Sequence, residues 1–151
     1  MKTLIAEMGI IVFCLLGYPN ACLAKTILVE EAMKKIDALG LVALKEHESF
    51  ESHRKLDKGV EAVVEKFKTT EDLLKIAESS RQRIKELRCD APHEMHCAAY
   101  ESACSYCIYR LGKIETPDAT KALLKIAKLV HDSGSVSLFV QETLAKRARK
   151  H

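Results

Sequence analysis

The chain has 151 residues, of which 48% are hydrophobic and 30% charged, and carries a formal net charge of +3. This balance fits one folded domain and excludes a disordered chain. With 6 Gly and 3 Pro, turn formers are too few for a loop-rich barrel of short strands; no Walker loop, dinucleotide-binding glycine fingerprint or nucleophile elbow occurs.

Residues 1–24 read as an export signal. Lys2 supplies the positive start, opposed by Glu7, and Gly9 to Gly17 is an apolar run of nine residues. Pro19 and Asn20 break that run, and Ala21-Cys22-Leu23-Ala24 offers small residues for cleavage after Ala24. A run this short does not reach the roughly 20 apolar residues of a spanning helix. Lipid attachment at Cys22 is disfavoured by Pro19, which stands where that signal takes an aliphatic residue. The mature protein is therefore expected to be residues 25–151, exported to a periplasm or secreted, with no stable membrane anchor. Cys14 and Cys22 leave with the signal, so four cysteines remain.

From 26 to 68 there are two apolar stripes. Val29, Ala32, Met33, Ile36 and Leu39 form one; Leu56, Val60, Val63, Val64 and Phe67 form the other. The polar stretch between them admits either two helices with a break near 48–54 or one long bent helix. Four clearer segments follow. Residues 71–88 carry Leu73, Ile76, Ala77, Ser80, Ile84 and Leu87, and 92–112 carry Cys97, Tyr100, Cys104, Cys107 and Leu111. Residues 117–132 carry Ala119, Ala122, Leu123, Ile126 and Val130, and 136–149 carry Val136, Phe139, Val140, Thr143 and Leu144. Spacings of three and four put each set on one helix face. Thr70 before Glu71 and Asp72, Asp90-Ala91-Pro92, Thr116-Pro117-Asp118 and Ser133-Gly134-Ser135 supply caps and stops. The fold class is all-α: about six helices in three antiparallel hairpins, as a HEAT-like array or a compact helical bundle.

Leu73-Leu74-Lys75-Ile76-Ala77 recurs fifty residues later as Leu123-Leu124-Lys125-Ile126-Ala127, and Ala32 to Ile36 is a looser relative of Ala122 to Ile126. The segment from Glu115 to Ala127 resembles the opening of a HEAT-type helical repeat, a likeness that covers about residues 69–149. The resemblance implies stacked helical hairpins of roughly 40–50 residues.

The one unusual patch is 89–107, which holds all four mature cysteines with His93 and His96 and no Lys or Arg. A structural role is favoured: Cys89, Cys97, Cys104 and Cys107 are disulfide candidates in an oxidising compartment, with Cys89 to Cys97 the expected pair across the Asp90-Ala91-Pro92 turn. A Cys104–Cys107 bridge within one helix is strained. A second reading is a metal site of Cys89, His93, His96 and Cys97. The third, thiol–disulfide catalysis at Cys104-Ser105-Tyr106-Cys107, lacks the helix N-terminus and preceding strand that such a pair uses.

The basic end, Lys146 to His151, reads as a solvated tail, and the Lys/Glu mixture over 45–88 as solvated helix faces. His47, His53 and His131 are expected at the surface. No catalytic residue and no cofactor is indicated. Nucleic acid is not an expected partner, because interleaved aromatics and a groove-reading motif are missing. The function this points to is an exported helical module that binds another protein, of the inhibitor or immunity type, without catalytic activity. The alternative is a periplasmic protein that handles metal or thiol redox chemistry at 89–107.

Overall fold

The computed structural model describes residues 19–45, 49–87 and 94–150, with side chains of the first helix from Leu28 onward and of the fourth from Met95. Six helices follow in order: α1 Pro19–Lys45, α2 Phe50–Val64, α3 Thr70–Leu87, α4 Glu94–Lys113, α5 Pro117–Leu129 and α6 Gly134–Ala148. The fold is all-α, and no strand occurs among the described residues. No described helix is long and apolar enough to cross a membrane. Residues 1–18 lie outside the described residues. Pro19 and Asn20, which break the apolar run in the sequence, are both helical and belong to α1.

The break expected near 48–54 does not extend past residue 49, because the second helix already begins at Phe50. Ser49 is extended, with φ −137° and ψ 157°, and its side chain accepts from the Ser52 amide at 3.1 Å, so α2 starts at Phe50. The polar Glu51 to Lys55 is helical because it forms a solvated face around the buried Ser52. The cap of α3 also falls one residue earlier than expected. Thr69 Oγ1 accepts from the Asp72 amide at 3.2 Å and donates to Asp72 Oδ2 at 2.5 Å, a reciprocal cap. Thr116 caps α5 as its sequence predicts, accepting from the Ala119 amide at 3.3 Å with Pro117 in the first turn. The expected cap at Asp90-Ala91-Pro92 lies outside the described residues.

Consecutive helices pack as α1 with α2, α3 with α4 and α5 with α6, and α4 touches all five others. Its sequence accounts for that position. Ala99, Ala103, Cys104 and Cys107 are small and at most 2% exposed, so neighbouring backbones come close on several sides. Tyr100, Ile108 and Leu111 fill the remaining space at 1% exposure or less. The two copies of the Leu-Leu-Lys-Ile-Ala segment lie on α3 and α5. Both bury their first Leu and their Ile completely, at Leu73, Ile76, Leu123 and Ile126.

Two basic residues depart from the solvated-face reading. Arg147 is buried. It donates from Nη1 to the Leu111 carbonyl at 3.0 Å, and from Nη2 to the carbonyls of Ile114 and of Thr116. The C-terminal end of α4 leaves carbonyls without helical partners, and a guanidinium with five donors in a planar fork can serve several at once. Arg81, on α3, is buried likewise and serves the end of α5: Nε donates to the Leu129 carbonyl at 3.1 Å, and Nη2 pairs with Asp132. Part of the basic tail is thus a helix fastener.

Candidate functional site

The site begins with a glycine inside a helix. A Cβ on Gly40 would stand 2.7 Å from Cδ2 of His96, 3.1 Å from its Cα and 3.2 Å from Cβ of Ala99. Only hydrogen at that position lets α1 and α4 approach this closely. One turn earlier on α1 stands Asp37, opposite His96 and Tyr100, which are four apart and share one face of α4.

Both α4 side chains reach a single oxygen. His96 Nε2 lies 2.8 Å from Asp37 Oδ1, and the Tyr100 hydroxyl donates to the same atom. The two rings tilt at 33° with centroids 5.6 Å apart. Burial raises the pKa of Asp37, but the hydrogen bonds from Tyr100 and His96 outweigh it, helped by the charges of His96 and Arg83. The carboxyl is held below its ordinary 3.8. It is therefore ionised at neutral pH and accepts only, so Nε2 of His96 carries the hydrogen. Burial, then the bond to Asp37 and its charge, push the Tyr100 phenol well above its ordinary 10.0. Among the described residues Asp37 Oδ2 receives no hydrogen bond, and the Asp37 side chain is 43% exposed.

Asp37 opens into a cleft of about 700 Å³ between α1 and α3, lined also by Tyr100 of α4 and Leu129 of α5. Val29, Met33, Leu129 and Tyr100 give it apolar walls, and Glu30, Lys34, Glu78, Arg83 and Glu86 its charges. Arg83 Nη1 donates to Glu86 Oε2 at 2.9 Å. The sequence pattern shows none of this as a unit. Asp37 and His96 are 59 positions apart, and neither belongs to a motif. The one available signal was Gly40 within the first helical stripe, since glycine inside a helix often marks a close backbone approach.

The cysteine and histidine patch resolves into parts. Cys89 and His93 lie outside the described residues. His96 spends Nε2 on Asp37, so that nitrogen is not available to a metal. No group of three or more His, Cys, Asp or Glu side chains is arranged to hold a metal ion among the described residues. Of the four disulfide candidates, Cys104 and Cys107 are buried free thiols in this structure. They lie three apart on one helix, where a bridge needs strained geometry. Burial raises the Cys104 thiol to about 12 and Cys107 well above its ordinary 9.0. A thiol attacks as its thiolate, so at neutral pH this pair is inert packing. Cys97 is buried and does not belong to the free pair. His53 and His131 are exposed, each with Nδ1 against a carbonyl 3.0 Å away, of Ser49 and Lys128; His47 lies outside the described residues.

Compared with known proteins, the chain matches no family model, no curated protein and no solved structure.

Proposed function

We propose that the chain is an exported, non-catalytic helical module that binds another protein, of the inhibitor or immunity type, through the corner where α1 ends and α2 begins. The observation that carries this is a run of exposed apolar side chains. Val42 is 56% exposed and Phe50 84%, with Leu41 and Leu44 also exposed beside them. Single exposed apolar residues are ordinary, but four within ten positions, at the end of α1 and the start of α2, offer a surface that a partner can cover. An aromatic standing free at such a patch is the kind of anchor that dominates protein interfaces.

A photo-cross-linking residue at position 50 tests this in the exported fraction. A single adduct of defined mass is expected there, and none from the same residue at the exposed Lys125 on α5. Equal labelling from both positions, or none from 50, overturns the reading.

Export rests on the pattern of residues 1–24. Mass analysis of the exported protein is expected to find a chain that starts at Lys25, and retention of Met1 would sink that part. The oxidising compartment also suggests a Cys89–Cys97 disulfide, supported by Cys97 standing apart from the free pair. The loop is short, so the bridge contributes about 2–3 kcal/mol at most. Thiol counting under non-reducing conditions should then find two free cysteines, reactive only after unfolding.

A further inference from the structure

We infer that the cleft between α1 and α3 is a binding site for a small protonated alkylamine, with Asp37 as its counter-ion. This goes beyond the protein-binding reading and uses a different face of α1.

Three observations converge. The first is the carboxylate itself. Oδ1 is held by two donors from α4, while Oδ2 has no partner among the described residues and the side chain is 43% exposed to the cleft. The aspartate is thus fixed in place yet has half its accepting capacity unspent. An ammonium group needs an acceptor of this kind, and a fixed one loses little freedom when the ligand arrives. The second is shape and lining. About 700 Å³ falls within the range of small-molecule sites, and Val29, Met33 and Leu129 offer an alkyl chain an apolar wall. The third is charge. The cleft carries four carboxylates against two cations, and one of those cations, Arg83, is already bonded to Glu86. An anion meets net repulsion there, and a neutral hydroxyl gains from Asp37 only a hydrogen bond without the charge of an ammonium.

Because His96 and Tyr100 hold the Asp37 carboxyl below its ordinary 3.8, the counter-ion is charged at neutral pH, where an alkylamine is protonated. A lysine side chain on a peptide carries the same head group. The small-molecule source is favoured by the apolar wall of Val29, Met33 and Leu129, which a free alkyl chain can follow without a peptide backbone attached.

The experiment is a methyl-resolved NMR titration of the full chain. The probes are n-octylammonium, octanoate, 1-octanol and a capped peptide with one lysine. Saturable shifts at the methyl groups of Val29, Met33 and Leu129 are expected with octylammonium and not with octanoate. Octanol and the peptide should bind about tenfold or more weakly. Asp37→Asn should weaken octylammonium by about tenfold or more, the scale of a lost charge-assisted bond. Ser79→Trp, which fills the cleft from α3 and leaves the hydrogen bonds of Asp37 intact, should abolish the shifts, so the test survives a poorly folded Asp37 variant. Equal binding of octanoate or octanol, tighter binding of the peptide, no saturable shift at the three methyl groups, or undiminished binding to Ser79→Trp each overturns the assignment.

Discussion

The two ends of α4 share a helix and a buried position but not an environment. At its start, His96 and Tyr100 bring polar atoms to Asp37 at the edge of an open cleft. Two turns on, Cys104, Cys107, Ile108 and Leu111 are at most 2% exposed and pack as apolar volume. Burial alone therefore does not mark a site on this helix; what marks it is polar atoms with defined partners and one acceptor left open. The same contrast explains two sets of titrating groups. At the wet end hydrogen bonds pull a carboxyl down, and at the dry end desolvation pushes thiols up.

The dry end should be the more sensitive to lost volume. Ile108 is fully buried on the helix that touches all five others. Ile108→Ala is expected to cost about 2–5 kcal/mol, by the transfer term plus the cavity left behind. Urea unfolding with an unchanged m-value checks it. A loss below 1 kcal/mol would show that the surrounding helices collapse into the space, and the contrast between the ends would weaken.

Next in size is the fastener at the end of α4. Arg147→Met keeps the bulk and removes the bonds to the carbonyls of Leu111, Ile114 and Thr116. A loss of about 2–3 kcal/mol is expected, the range for hydrogen bonds from a charged donor. Arg147→Lys should recover less than half of it, because one ammonium cannot reproduce the planar fork. Hydrogen exchange should rise first in the last turn of α4. An unaffected Arg147→Met would make the residue a solvated tail charge after all.

Alkaline titration reads the dry end directly. Cys104 ionises at about 12 in the fold against an ordinary 9.0. Its folded pKa is raised, so stability is full below pH 9 and falls as the pH climbs toward 12, where the folded thiol also ionises. The Cys104 thiol contributes about 1 kcal/mol of loss per pH unit in that window. Cys104→Ala should flatten the alkaline limb relative to the parent, even though it lowers overall stability.

How much of this was legible in the sequence follows from the range of the interactions involved. The helices could be read because an apolar stripe is local: Leu73, Ile76, Ala77 and Ser80 declare one face within two turns. Thr116 and Pro117 fix a helix start within four residues for the same reason. Arg147 could not be read, since the carbonyls it serves come from 31 to 36 positions earlier. A basic residue in a basic tail carries no local mark of burial. Asp37 was equally silent, lying in α1 between buried Ile36 and half-buried Leu39. The stripe on α4 was legible, but the reading of one buried face was too narrow. Its alternation of Ala, Ser and Cys is the composition of a helix packed on many sides.

The smallest effect belongs to the wet end, and its direction is fixed by the geometry. Asp37 has a folded pKa below its ordinary 3.8, so its contribution is present above that value. It is lost as the pH falls through the lower folded one. The side chain is 43% exposed, so solvent screens the interaction and the contribution is held to about 1 kcal/mol or less. Tyr100→Phe removes one of the two donors on Oδ1 without opening a cavity. The acid limb of the stability profile below about pH 4 should therefore become shallower in Tyr100→Phe than in the parent, with a modest loss at neutral pH. The His96 bond persists in that variant, so the limb should flatten further in Asp37→Asn, which cannot titrate. An acid limb identical in all three proteins would mean that the bonds from α4 do not bias the Asp37 carboxylate. The wet end would then differ from the dry end in composition alone.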